Sequence, residues 1–114
     1  MIDSYSFGKI VIDGKEYNRD VIVYPDYVEP NWWRKQGHQL CVEDIKSRIE
    51  KESPEILIVG TGAYGQVVIL DSTKEFLERR GIKLIAEETG KACTTYNHQI
   101  KSNKKVLGAF HLTC

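Results

Sequence analysis

Apolar positions along the chain predict short strands at the start, one irregular stretch, and then strands and helices in alternation. Ile10 and Ile12 on one side and Tyr17 on the other flank Asp13-Gly14-Lys15, and an Asp-Gly pair between apolar positions predicts a hairpin. Val21-Ile22-Val23-Tyr24 reads as a third strand. Pro25 and Pro30 push their preceding residues toward extended backbone, and no period holds from Asp26 to Leu40, so a loop of unusual length is expected there. Trp32 and Trp33 predict that this loop is ordered, because two indoles left in water forgo on the order of several kcal/mol of burial.

Val42, Ile45 and Ile49 recur at helical spacing, with Glu43 and Asp44 in the first turn and Pro54 beyond the end. Ile56 to Val59 is a buried strand, and Val67 to Leu70 is a second β-branched run. Ser72-Thr73-Lys74-Glu75 has the form of a capping box and places a helix start at residue 72. Gly81 ends that helix, Ile82 to Ala86 forms a strand, and Thr89 is placed to cap the next helix. Ala92, Cys93, Tyr96 and Ile100 share the apolar face of that helix, Asn103 marks its stop, and Val106 to Leu112 supplies a last strand.

The resulting order, β-β-β-α-β-β-α-β-α-β, is that of an α/β fold. Helices between the later strands imply right-handed crossovers, so residues 67 to 112 are expected to give parallel strands to a central sheet covered by helices. The first three strands are expected to form a separate antiparallel β layer.

A chain of 114 residues fits one domain, 1–114, and excludes separate cofactor and substrate lobes. Hydrophobic residues at 41% and charged residues at 28% are globular proportions. Sixteen basic and sixteen acidic side chains cancel, and Lys101-Ser102-Asn103-Lys104-Lys105 reads as a solvated turn, so no nucleic-acid partner is expected. No apolar stretch is long enough to cross a bilayer, and Met1-Ile2-Asp3-Ser4 carries no signal-peptide pattern, which argues against a membrane partner. Three cysteines without a C-x-x-C pair fit a reducing, cytoplasmic setting.

Candidate chemistry begins with Gly60-Thr61-Gly62-Ala63-Tyr64-Gly65, which spells G-x-G-x-x-G after a strand. A dinucleotide site needs a helix starting at the second glycine, whereas Val67 to Leu70 and the Ser72 helix start follow instead. Glu87 and Glu88 stand where a ribose-binding acid would, but the cradle lacks its helix. The glycines then serve either a tight turn or a backbone N–H nest for a small anion. His38-x-x-Cys41, Cys93-x4-His98 and His111-x-x-Cys114 would make a metal site only by converging, which their spacing does not require. No catalytic residue, metal or cofactor is assigned. Arg34, beside Trp33 and ahead of His38, either presents a planar cation with a stacking wall to an anion or pairs at the surface while the tryptophans fill the core.

Taken with Asp20-Val21, Trp32-Trp33-Arg34, Gly37-His38, Gly60-Thr61-Gly62, Ala92, Tyr96-Asn97 and the ending Phe110-His111-Leu112-Thr113-Cys114, the chain resembles a known family. It is similar to the Mth-type domain of unknown function shared by an adipogenesis-associated protein and a mitochondrial complex I assembly factor. The resemblance covers nearly the whole chain, and its size and lack of a transit peptide point to a free-standing archaeal member. It implies a three-layer α/β fold with a central mixed sheet, and regulatory or assembly roles in place of an established reaction. The motif residues it carries over are Trp33, Arg34, Gly37, His38, Gly60, Thr61, Gly62 and Asn97. Two readings follow: a non-catalytic module that binds a small anionic ligand or a protein partner through the Gly-Thr-Gly and Trp-Arg loops, and a small enzyme that acts on an anionic substrate with His38 or a cysteine.

Overall fold

The structure, a computed structural model, describes residues 1–114. Ten strands and three α-helices follow one another as β1 (Ile2–Ser6), β2 (Lys9–Ile12), β3 (Lys15–Tyr17), β4 (Val21–Val23), β5 (Val28–Glu29), β6 (Gln39–Leu40), α1 (Lys46–Glu52), β7 (Ile56–Thr61), β8 (Val68–Ile69), α2 (Asp71–Arg79), β9 (Lys83–Glu87), α3 (Thr89–Gln99) and β10 (Val106–His111), with a 3-10 turn at Val42–Asp44. A central five-stranded sheet has the order β5-β4-β10-β7-β9. β10, β7 and β9 run parallel, and β4 and β5 join antiparallel at one edge.

All six residues of β7 and all six of β10 are buried, as expected of strands covered on both faces. Alternation divides them between two cores. Leu57, Val59, Leu107 and Ala109 face α1 and α2 through Ile45, Ile49 and Leu77. Ile56, Ile58, Val106 and Phe110 face α3 and the N-terminal sheet through Ala92, Tyr96, Ile10 and Ile12. Three layers therefore stack in the order helices, sheet, and α3 with the antiparallel β1-β2-β3 sheet. No helix is long and apolar enough to cross a membrane.

The N-terminal layer differs in membership from the sequence expectation. β1 completes it, and β4 belongs to the central sheet, where Val21, Ile22 and Val23 pair with Phe110, Ala109 and Gly108. Burial explains the exchange: Ile22 enters one core while Val21 and Val23 enter the other, which a strand covered on one face could not do.

The run at residues 67–70 is also placed differently, since β8 pairs with β6 in a parallel two-stranded ribbon outside the central sheet. The short turn after β7 leaves no room for the dozen or more residues that a parallel crossover requires. α2 makes that crossover to β9. Its first residue is Asp71, with Leu70 at the N-cap and no side-chain capping bond, so the expected Ser72 capping box does not form. The Thr73 hydroxyl instead donates to the Leu40 carbonyl at 2.7 Å, fixing the helix entry to the ribbon.

Candidate functional site

The carboxyl ends of parallel strands are the usual place for function in an α/β sheet, and here β7 and β10 end side by side at Thr61 and His111. Asp20, just before the antiparallel β4, reaches the same edge. Its Oδ1 accepts the Leu112 N–H at 2.8 Å, and its Oδ2 accepts from Arg34 Nη1 at 2.6 Å. The same Oδ2 lies 2.7 Å from Nδ1 of His111.

Arg34 and His111 are each only 8% exposed, so the three groups form a buried polar cluster. Burial acts to raise the Asp20 pKa, but hydrogen bonds from His111, Arg34 and the Leu112 amide outweigh it and hold the carboxyl below its usual range. An ionised Asp20 assigns the proton on His111 to Nδ1, which donates to it, although Arg34 Nη2 stands 2.9 Å from the same nitrogen. In the neutral ring Nε2 is then the acceptor, 3.4 Å from the Thr113 hydroxyl.

The loop bearing Arg34 is held by buried contacts. Trp32 Nε1 donates to the Asp44 carbonyl at 3.0 Å, and the Asp44 carboxylate accepts the Lys35 and Cys41 N–H groups, each at 3.0 Å. Arg34 Nη2 donates to the Gly37 carbonyl at 2.8 Å, and its guanidinium carbon stands 5.0 Å from the Trp32 ring centre. Trp33, between two buried neighbours, is 75% exposed. An open cavity of about 560 Å³ lies beside the cluster, lined among others by Arg19, Asp20, Asn31, Trp33, His111 and Thr113.

Of the residues singled out from sequence, Trp33, Arg34, Gly37 and His38 come together with this cluster. The His38 ring is exposed and lies 6.5 Å, centre to centre, from the His111 ring. Arg34 is a strut, its charge taken up by Asp20, and it does not present a cation to solvent.

Gly60, Thr61 and Gly62 occupy the neighbouring strand end in packing roles. A Cβ at Gly60 would lie 2.8 Å from the Thr89 hydroxyl and 2.9 Å from the Phe110 ring. The Thr61 hydroxyl donates to the Glu87 carbonyl at 3.0 Å. Gly62 has φ +105°, and its N–H donates to Thr89 Oγ1 at 2.8 Å. Thr89 therefore bridges strands, donating in turn to the His111 carbonyl at 2.6 Å, while Glu88 holds the N-cap of α3 that the sequence had assigned to Thr89. Ala63 N–H goes to Thr113 O and Gly65 N–H to Gly62 O, so these amides are occupied and form no anion nest.

Asn97 sits on the second half of α3 and is not brought to the loop cluster. Its amide donates to and accepts from the Ile2 backbone, both at 2.8 Å, tying β1 to the helix. Asp20 and His111, both present in the motifs that carry the resemblance, were not carried over from sequence as site residues. Their signal was positional: each is a polar residue at the end of a wholly buried strand.

The cysteines are free. Burial pushes the Cys93 thiol up to about 12, and burial together with Asp44 raises Cys41, both away from nucleophilic thiolate. The His-Cys pairs do not assemble a group of three or more ligands able to hold a metal ion.

The layers and the polar cluster define a three-layer α/β domain with its buried Asp-Arg-His group at the carboxyl edge of a mixed sheet. The chain belongs to the family described as protein of unknown function (DUF498/DUF598), whose model matches residues 2–111. Among solved structures it is similar to the conserved hypothetical protein PH1505 from Pyrococcus horikoshii OT3, at 28% identity and a TM-score of 0.81 over 100% of this chain and 99% of that one. A protein named MT938 shares 22% identity at a TM-score of 0.79, over 100% and 98% of the two chains. A Bordetella pertussis protein described as a Mth938-like domain shares 18% identity at a TM-score of 0.71, over 98% and 85%. Membership of that family, and a fold shared with a Mth938-like domain, agree with the resemblance its motifs carried.

Proposed function

We propose that this protein is a non-catalytic binding module that docks an acidic, apolar segment of a protein partner at the carboxyl edge of its central sheet. One observation carries the reading: Trp33 is 75% exposed on a loop whose neighbours Trp32 and Arg34 are buried and bonded. A large indole left in water on a backbone anchored at both neighbours is the residue type and setting of an interface hot spot. Arg19 lines the same cavity, is exposed and has no ion-pair partner, so it supplies the cation that Arg34 does not. Sequence offers no reaction for this family type, and the two perturbed thiols are poor nucleophiles.

The test is affinity capture from extract of the source cells with the tagged protein beside its Trp33→Ala variant. A partner retained by the first and lost by the second supports the reading, whereas equal capture overturns it. Three free cysteines support a reducing cytoplasm as the site of action, and the likeness to the Pyrococcus protein supports an archaeal origin.

The second reading, a small enzyme acting on an anionic substrate, rests on the Asp20–His111 pair in preference to His38. A carboxylate on Nδ1 with Nε2 free is the arrangement of a general base, and Arg19 would receive the anion. The hydroxyl beside that base, Thr113 Oγ1, stands 3.4 Å from Nε2, a long contact for a nucleophile and its base, which leaves the docking reading first.

A further inference from the structure

At the amino end of the central sheet, five residues along β10 from His111, a second cavity of about 280 Å³ opens between the sheet, β2 and α3. At about 3.3 Å per residue this is roughly 17 Å from the Asp20–His111 cluster, so the two sites are separate. Its walls include Ile12, Val23, Val106, Tyr96 and Ile100. Tyr24 and Tyr27 close one side as a stacked pair, with ring centres 4.2 Å apart and planes 9° from parallel.

Tyr96 lines this cavity, and its hydroxyl makes no hydrogen bond within the protein, although the residue as a whole is only 2% exposed. The hydroxyl oxygen is not sealed from solvent, so it is open to an acceptor that enters the cavity. The ring itself is fixed edge-on against Phe110, with centres 5.8 Å apart and an interplanar angle of 82°. Burial, helped by the Asp13 charge, pushes the phenol up to about 12, which keeps it a donor at neutral pH.

We infer that this cavity is a binding site for a small uncharged aromatic molecule whose one carbonyl or hydroxyl oxygen accepts the Tyr96 hydroxyl. Size fits the class: a cavity of roughly 150 Å³ holds a benzene ring, and this one has room for a ring and a short substituent. Charge sets the rest. Around the mouth stand Asp26, Lys104 and the Asp13 carboxylate with the Met1 α-amino group 2.7 Å from it, a balance of signs that draws no ion. A charged group carried to Tyr96 would have one hydroxyl in exchange for its hydration shell.

Acetophenone, benzoate and ethylbenzene are the probes, followed by amide chemical-shift titration of the full chain. Acetophenone is expected to give saturable shifts centred on Ile12, Val23, Tyr96, Ile100 and Val106. Tyr96→Phe keeps the ring and is expected to weaken acetophenone about fivefold, the size of one neutral hydrogen bond, while leaving ethylbenzene unchanged. An Ile100→Trp variant, with half-buried Ile100 at the wall, is expected to abolish binding of both by filling the space. Absence of saturable shifts with acetophenone, or equal affinity in Tyr96→Phe, overturns the inference. Tighter binding of benzoate than of acetophenone overturns the uncharged class.

Discussion

The carboxylate of Asp20 lies 2.7 Å from the imidazole of His111 across 91 residues of sequence, and this contact ties the start of β4 to the end of β10. Its side chains are 15% and 10% exposed, so the pair sits where removing one partner strands the other.

Replacing the carboxylate tests that statement. Asp20→Asn keeps the shape but leaves Arg34 buried without its counter-charge, and is expected to lower the unfolding free energy by about 3 to 5 kcal/mol. The pH dependence has a definite sign. Because the native pKa of Asp20 is depressed, its contribution is complete above the unfolded carboxylate range, about pH 4, and is lost as pH falls toward the native value. Urea unfolding between pH 6 and pH 2 should show this acid-side loss in the wild type and a shallower one in Asp20→Asn. Equal slopes would mean that the carboxyl is not held low.

Much of this fold could be read from single runs, and the exceptions have physical causes. β7 and β10 are continuous apolar stretches long enough to be strands and nothing else. β1 buries only Ile2 fully, its other positions being polar or half-exposed, so it shows no alternation to read. The three consecutive apolar residues of β4 carry the mark of two-sided burial, which belongs to the central sheet and not to the hairpin layer. The ribbon of β6 and β8 joins two-residue strands far apart in sequence, which local pattern cannot pair. The same holds for the site: Trp33, Arg34 and His38 announce themselves as a cluster of unusual residues on one loop, whereas Asp20 and His111 meet only through the sheet register.

Gly62 offers a test of how the strand end is closed. Its φ of +105° and the carbonyl oxygens of Cys114 and Thr113 at 2.7 and 2.9 Å from a Cβ leave no place for a side chain. Gly62→Ala is expected to lower stability by about 1 to 3 kcal/mol, a fall in Tm of several degrees, read by thermal circular dichroism. Gly14→Ala has open space around it and differs only by its backbone angle, so it should fall less. A larger loss at Gly14 would show that contact at the C-terminal segment is not what Gly62 relieves.

Thiol chemistry separates the cysteines. With its thiol pushed up to about 12, Cys93 has about one part in ten thousand of thiolate at pH 8, and it is buried as well. Exposed Cys114 is expected to react with an aromatic disulfide reagent in the native protein, while Cys93 reacts only after unfolding in guanidinium. Mass spectrometry of partially labelled protein reads the order. Early labelling of Cys93 would show that α3 opens from the sheet in the native state.

The two arginines at the carboxyl edge should divide between stability and recognition. Arg34→Lys keeps the charge but loses the fork that reaches Asp20 and Gly37 together, and is expected to cost about 1.5 to 3 kcal/mol in urea unfolding. Arg19→Ala removes an exposed, unpaired side chain and should stay within about 0.5 kcal/mol of the wild type. If the edge docks an acidic segment, Arg19→Ala lowers the association rate with the captured partner and flattens its dependence on salt, because an exposed charge acts mainly through steering. An association rate in Arg19→Ala equal to wild type at low salt would remove the cation from the recognition surface and leave Trp33 to carry it alone.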